Sequence, residues 1–142
     1  MIIVDTSALL SAMDADDPDQ PRTSAAIRAS NGPRLISPFI LAELDYLLTR
    51  RVGAPVARRL LDEVIGGAYR LEPFDADDVR QAATVLDRYQ GLDLGLADAS
   101  IVVLAERHGI NEIVTLDERH FRVVVGPGGR PFRILPADST VA

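Results

Sequence analysis

The stretch that decides the fold is MIIVDTSALL, residues 1–10. It opens with a short apolar run that contains β-branched residues, which is typical of a strand covered on both faces in a parallel sheet. The run ends at Asp5, and Thr6 and Ser7 follow directly. Because open α/β sheets bind ligands at the carboxyl ends of their strands, Asp5 is a candidate functional residue. The alternative is that Asp5 only caps the next helix, as Asp often does.

Length and composition restrict the class of protein. The chain has 142 residues, which is the size of one domain, and we expect a single domain over residues 1–136 and a short tail over residues 137–142. It contains no Cys, which excludes disulfide bonds and thiolate metal sites. No apolar run is long enough for a membrane span or a signal peptide. We therefore expect a cytoplasmic protein with no membrane partner.

The charge balance bears on the partner. The formal net charge is −6, which argues mildly against a nucleic-acid partner because phosphate binding usually leaves a basic surface. However, all 15 basic residues are Arg, the side chain that binds phosphate in bidentate geometry. Several acids could also be gathered into one site, where a metal ion would neutralise them. Composition alone therefore leaves RNA open as a partner.

The hydrophobic pattern alternates between short strands and longer helices, which predicts an α/β fold around a mostly parallel sheet. After the first strand, we expect strands at residues 34–36, 69–72 and 113–116. The predicted helices cover residues 8–13, 23–30, 38–51, 54–65 and 76–89, and one more that ends at Gly109. Residues 123–135 suggest either a closing hairpin or a loop followed by an edge strand.

Two of the predicted helices carry an acid in a notable position. Glu43 is spaced to share a face with Ile40 and Leu47, and a carboxylate on an apolar stripe is costly unless it is paired or binds a cation. The alternative is a position on the flank whose carboxylate reaches water. Asp98 lies near the start of its helix on the core side. The alternative there is an acid that stabilises the helix dipole and has no chemistry.

A later strand repeats the pattern of the first, because the run Ile113–Leu116 also ends in an acid, Asp117. Two neighbouring parallel strands would bring Asp5 and Asp117 to the same edge of the sheet. With Glu43 and Asp98 they would place four carboxylates in one pocket, where they repel one another unless some hold protons or a counter-ion binds.

A hard divalent cation resolves that repulsion. Ligation by oxygen alone suits Mg²⁺, with Mn²⁺ as a further possibility, and not zinc. Such a site can activate a bound water towards a phosphodiester. We expect the pocket to contain no protein cation, and we expect nearby hydroxyl groups to orient the ligands: Thr6, Ser7 and Thr115.

Four segments carry a family resemblance: VDTSALL (4–10), SPFILAELDYL (37–47), LADASIVVLAERHG (96–109) and IVTLDERHF (113–121). In this order they resemble the signatures of the PIN-domain family, and in particular the VapC-type toxins of type II toxin–antitoxin pairs. The resemblance covers residues 1–136. By position, it implies an acidic quartet that is both catalytic and metal-binding: Asp5, Glu43, Asp98 and Asp117.

The same resemblance implies a fold, an activity and partners. The fold would be a three-layer α/β/α sandwich around a mostly parallel sheet. The activity would be that of a Mg²⁺-dependent endoribonuclease that cleaves structured RNA, either tRNA or rRNA, and so inhibits translation. The implied partners are a second copy of the chain in a homodimer and a cognate VapB-type antitoxin that occludes the site.

Other functions remain open at this point. An aspartyl phosphatase usually needs a second acid two residues after the first, where this chain has Ser7. A metal-independent ribonuclease could use His108 and His120. A non-enzymatic alternative is a metal-binding or phosphate-binding regulatory module on the same fold. For the RNA-cleaving hypothesis, three arginines are candidates for contact with phosphate: Arg50, Arg119 and Arg122.

Overall fold

The computed structural model describes residues 1–139, which form five strands and seven α-helices. The strands are β1 (Ile2–Val4), β2 (Arg34–Ile36), β3 (Arg70–Leu71), β4 (Glu112–Val114) and β5 (Arg133–Leu135). The helices are α1 (Thr6–Ala12), α2 (Gln20–Arg28), α3 (Pro38–Arg51), α4 (Ala54–Ile65), α5 (Ala76–Arg88), α6 (Leu96–His108) and α7 (Glu118–Phe121).

The five strands form one parallel sheet in the order β3-β2-β1-β4-β5. In the central strand β1, Ile3 lies opposite Leu35 on one side and Ile113 on the other. All three residues of β1 are buried, although successive side chains point to opposite faces, so helices cover both faces of the sheet. The predicted α/β fold is confirmed, and the carboxyl ends of all five strands share one edge.

Local signals account for where the main helices begin and end. Ser37 caps α3, since its Oγ accepts a hydrogen bond from the Phe39 N–H at 3.1 Å. The helix α6 ends at Gly109, which has a φ of 64°, a conformation that glycine adopts readily. The predicted helix at residues 23–30 begins instead at Gln20, because Pro21 is tolerated in the first turn.

The carboxyl-terminal region follows the second of its two predicted alternatives. Strand β5 pairs with β4 in parallel register and forms an edge of the sheet, so the loop and edge strand are present. A single antiparallel bridge joins Val125 to Pro131 across the glycine-rich turn.

Part of the predicted tail is attached to the domain. Residues 140–142 of this tail lie outside the described residues. Before them, the Asp138 carboxylate accepts hydrogen bonds from both terminal nitrogens of Arg122 at 2.7 Å and from the Ile134 N–H at 2.8 Å. Within residues 1–139, no helix combines the length and the apolar character needed to cross a membrane.

Candidate active site

Asp5 lies at the carboxyl end of β1, where the chain turns into α1, and only 4% of it is exposed. Its Oδ1 accepts a hydrogen bond from the Thr6 N–H at 2.8 Å, and its Oδ2 accepts one from the Thr115 hydroxyl at 2.6 Å. The pKa of Asp5 is raised to about 6, mainly by burial and to a smaller extent by the charges of Asp98 and Asp117, and the two hydrogen bonds oppose this rise. Asp5 therefore caps α1 and is also a carboxylate whose ionised form is destabilised.

A hydroxyl network joins the ends of β1 and β4. The Oγ of Ser7 lies 3.1 Å from the Oγ1 of Thr115 and 3.3 Å from the Oδ2 of Asp5. The Leu116 N–H donates to Ser7 at 2.9 Å, and the Asp117 N–H donates to Thr115 at 2.9 Å. Ser7 and Thr115 thus hydrogen-bond to Asp5 as predicted, and the same two hydroxyls position the backbone that carries Asp117.

Asp98 lies in the first turn of α6, where its Oδ2 accepts a hydrogen bond from the Gly95 N–H at 3.2 Å. Burial raises the pKa of Asp98, and the hydrogen bond from Gly95 and the charge of His120 oppose this. The charges of Asp117 and Glu43 raise it further. Asp98 therefore lies within electrostatic range of the other three acids, while it also helps to begin its own helix.

A pair of fully buried serines holds α6 against the start of α3. The Ser37 and Ser100 hydroxyl oxygens are 2.7 Å apart, and the Ser100 hydroxyl donates to the Ala97 carbonyl at 2.6 Å. Since that bond uses the proton of Ser100, the proton between the two serines belongs to Ser37. This contact fixes the first turn of α6, and with it Asp98, relative to the helix that carries Glu43.

The predicted placement of Glu43 on the buried stripe of α3 is wrong. The buried residues of this helix are Ile40, Leu44 and Leu48, and Glu43 is exposed. Glu43 is turned away from the buried row centred on Leu44 by about 100°, the rotation for one residue. Its charge still acts on Asp98 and contributes to the raised pKa of that group.

Asp117 precedes α7 and is paired with a histidine that the predicted quartet does not include. Its Oδ1 accepts a hydrogen bond from the His120 N–H at 3.1 Å, and its Oδ2 lies 2.6 Å from the His120 Nδ1. Burial opposes protonation of His120, but the hydrogen bond to Asp117 and the charges of Asp117 and Asp98 outweigh it and raise the pKa of His120.

The pocket therefore contains a basic side chain that was not expected there, since His120 is paired with Asp117. A histidine three residues after an acid at a helix start can reach back to that acid, and this spacing is the sequence signal for the pair. The other histidine, His108, lies elsewhere, since its ring contacts the buried carboxylate of Glu72.

The donor set matches the chemistry of a hard divalent cation. The pKa values of Asp5 and Asp98 are raised by burial and also by the charges of neighbouring acids, and the Thr6 hydroxyl beside Asp5 is buried with no hydrogen-bond partner in the described residues. As placed, however, no three His, Asp or Glu side chains among residues 1–139 are gathered closely enough to hold an ion. The residues fit such an ion by type and charge.

Comparison with known proteins identifies the family. The sequence model of the PIN domain matches residues 2–126. The chain belongs to the PIN-domain family. It is 42% identical over 135 residues to Ribonuclease VapC26 of Mycobacterium tuberculosis, an alignment that covers 95% of this chain and 100% of that relative. The predicted resemblance to VapC-type PIN proteins is therefore confirmed.

Solved structures agree with this PIN-domain assignment. The crystal structure of Mycobacterium tuberculosis VapC20, a sarcin–ricin loop cleaving toxin, matches with a TM-score of 0.77 and 25% identity over 82% of this chain and 90% of that one. VapBC2 of Rickettsia felis, bound to a DNA fragment from its promoter, matches with a TM-score of 0.65 and 22% identity over 94% and 98%. The second likeness concerns the fold alone.

Proposed function

We propose that this PIN-domain protein is a metal-dependent endoribonuclease and the toxin of a VapBC-type pair. The observation that carries the proposal is the buried Asp5 carboxylate at the sheet edge, whose pKa is raised to about 6 by burial together with the charges of Asp98 and Asp117. Protein interiors rarely keep such a group unless it binds a cation or takes part in chemistry.

The acidic quartet would hold Mg²⁺, or Mn²⁺ in its place: Asp5, Glu43, Asp98 and Asp117. When bound, the ion supplies an acidified water as nucleophile and neutralises charge on the phosphate oxygens. The hydroxyls of Ser7 and Thr115 keep Asp5 in one orientation. His120 holds the Asp117 carboxylate through its backbone N–H and its Nδ1.

The RNA class follows from a relative. VapC20 is a toxin that cleaves the sarcin–ricin loop, so we propose structured ribosomal RNA as the leading substrate and tRNA as the second. Cleavage of either would inhibit translation, which places the action in the cytoplasm.

Among the three candidate arginines, Arg119 is the best placed to contact RNA phosphate beside the quartet. It is exposed on α7, close to Asp117, and forms no salt bridge within residues 1–139. Arg122 is a weaker candidate than predicted, because Glu118 and Asp138 occupy its guanidinium.

We also propose two protein partners. Solved neighbours of this fold are VapBC toxin–antitoxin complexes, which supports a VapB-type antitoxin that binds over the site. A homodimer is the second proposed partner, on the resemblance to VapC-type toxins.

The direct test is cleavage of a sarcin–ricin loop hairpin and of tRNA by the purified protein. We expect cleavage with MgCl₂ and none with EDTA. Asp98→Asn should lower the cleavage rate at least a hundredfold, which is within the range typical for loss of one group that positions a metal or acts as an acid–base catalyst. Asp87→Asn, on the exposed side of α5, is the matched control and should cleave like the parent protein. Cleavage that survives both EDTA and Asp98→Asn would contradict the metal mechanism.

One observation favours the non-catalytic alternative. Since no three carboxylate or histidine side chains of residues 1–139 are gathered around one point, the site could bind an ion weakly and serve as a regulatory module. Calorimetry separates the two functions. Measurable Mg²⁺ binding without cleavage of any RNA from a total cellular pool would support the module and count against the nuclease.

A further inference from the structure

The exposed face of α3 carries an aromatic ring and a guanidinium beside the candidate site. Glu43, Tyr46 and Arg50 are spaced by three and four residues, so they lie within about 60° of one another on the helix. All three are exposed. We call these three residues the α3 stripe. Its first member is the quartet acid whose charge acts on Asp98, so the stripe begins at the candidate site.

Tyr46 and Arg50 form a pair on this stripe. The guanidinium carbon of Arg50 lies over the Tyr46 ring, 5.1 Å from its centroid, and 57% of Tyr46 is still exposed. Single exposed apolar residues are common, and Ile65 at 83% is one here. Tyr46 differs because a cation is held over one face of its ring while much of the side chain stays open to solvent.

The Arg50 guanidinium is not paired with a carboxylate within residues 1–139. Among residues 1–139 it forms no salt bridge, although the chain as a whole carries a net charge of −6. A planar cation over an aromatic ring is the arrangement that proteins use to bind single-stranded nucleic acid, because bases stack on the ring and the guanidinium contacts base or phosphate. The exposed Tyr46 ring and the Arg50 guanidinium together therefore fit a ligand that has both an aromatic ring and a phosphate.

We propose that Tyr46 and Arg50 form a stacking platform for an unpaired base of the RNA, next to the bond that the quartet would cleave. Helix geometry places Tyr46 about 4.5 Å and Arg50 about 10.5 Å along the axis from Glu43. These lengths are short enough for the nucleotides that immediately flank the cleaved bond. The proposal rests on the proposed ribonuclease function, since it names a subsite for that substrate.

The experiment measures binding without cleavage. Fluorescein-labelled sarcin–ricin loop hairpin RNA is titrated with protein in EDTA, and its anisotropy is recorded. Tyr46→Ala should weaken binding about tenfold, which is about 1.4 kcal/mol and within the range for base stacking on an aromatic side chain. Tyr46→Phe keeps the ring and should bind like the parent protein. Arg50→Lys keeps the positive charge but loses the planar guanidinium. Its affinity for the RNA should lie between those of Tyr46→Ala and the parent protein.

Two controls separate direct contact from other effects. Arg88→Ala removes an exposed arginine from α5 and should weaken binding far less than Tyr46→Ala. Next, single abasic sites are placed along the unpaired nucleotides of the hairpin. At one position the abasic site should weaken binding to the parent protein about tenfold and leave binding to Tyr46→Ala unchanged, because the base and the ring form one contact.

Several results would overturn the platform. The first is that Tyr46→Ala and the parent protein bind the RNA equally. The second is that, at every abasic position, the losses in affinity from the abasic site and from Tyr46→Ala simply add. The third is that the parent protein binds no RNA at all. A change from dimer to monomer on Tyr46→Ala, seen by sedimentation, would assign this face to a second copy instead. If RNA binds as expected but Mg²⁺ never supports cleavage, the nuclease proposal fails and the platform stands as an RNA-binding surface.

Discussion

The buried carboxylate of Asp5 should make the metal-free protein less stable at neutral pH than a variant without that charge. The variant is Asp5→Asn, which keeps the size and shape of the side chain. Its amide can still accept the hydrogen bond from the Thr6 N–H and can donate towards the Thr115 hydroxyl, so the network around it can be rebuilt.

The magnitude follows from the pKa of Asp5, which burial raises from 3.8 to about 6 in the native state. Each unit corresponds to about 1.4 kcal/mol, so ionised Asp5 lowers the free energy of unfolding by about 3 kcal/mol. Below pH 3.8 the group is protonated in both states and this penalty is absent. Stability falls as the pH rises from about 4 to about 6, because only the unfolded state has released the proton.

The assay is urea unfolding in EDTA at a series of pH values from 4 to 7.5. We expect Asp5→Asn to gain stability relative to the parent protein as the pH rises, and to be more stable by about 1–3 kcal/mol at pH 7.5 once the rebuilt hydrogen bonds are allowed for. Asp87→Asn removes an exposed carboxylate and is the matched control, which should show no such trend.

This reasoning is refuted if Asp5→Asn and the parent protein differ in free energy of unfolding by the same amount at every pH, because the penalty would then not come from ionisation. A second series with MgCl₂ tests the metal. Ion binding should stabilise the parent protein by mass action and leave Asp5→Asn unchanged. The difference in free energy of unfolding between the two proteins should therefore disappear.

Three further perturbations test other parts of the structure, each by urea unfolding. Ser37→Ala should cost about 1–2 kcal/mol, since it removes the cap of α3 and the hydrogen bond to α6, and a neutral effect would contradict that role. Gly126→Ala should cost about 1–3 kcal/mol, because the added Cβ would lie 2.7 Å from the Asn111 Nδ2, 3.1 Å from the Phe132 ring and 3.2 Å from the Arg130 carbonyl oxygen, and unchanged stability would mean that these contacts relax freely. The hydrogen bonds of Asp138 to Arg122 lower its pKa to about 2, so its contribution is present above pH 3.8 and is lost as the pH falls through about 2. Asp138→Asn should therefore unfold at lower urea than the parent protein at pH 7 and converge with it in acid, and a constant difference would exclude the ion pair as the cause.

The elements of the fold were predictable because their signals are local. An apolar run that ends in an acid marks β1 at Asp5 and β4 before Asp117, and Ser37 and Gly109 mark where two helices begin and end. Caps and hydrophobic periods depend on neighbouring residues only. The strand order was not predictable in this way, since the pairing of β1 with β4 joins residues more than a hundred positions apart.

The composition of the candidate site was predictable only in part. The four acids could be named from their motifs, but their surroundings depend on how each helix is turned against the sheet. That rotation places Glu43 on an exposed flank, not on the buried stripe of α3. The pairing of His120 with Asp117, in contrast, is local, because the histidine lies three residues after the acid that caps α7.

What the sequence alone determined is therefore the α/β class and the order of its elements, because hydrophobic period, capping and motif order are properties of contiguous residues. The four acids stay a prediction from the motifs. Only the tertiary structure decided which groups share an environment. Burial raises the pKa of Asp5, a histidine is paired with Asp117, and Tyr46 and Arg50 stand exposed beside Glu43. The burial of Asp5 and the exposure of Tyr46 and Arg50 depend on packing between segments that are distant in the chain or on the orientation of a helix, and no local pattern specifies either. The pairing of His120 with Asp117 is local, but its place beside the other acids also depends on the fold.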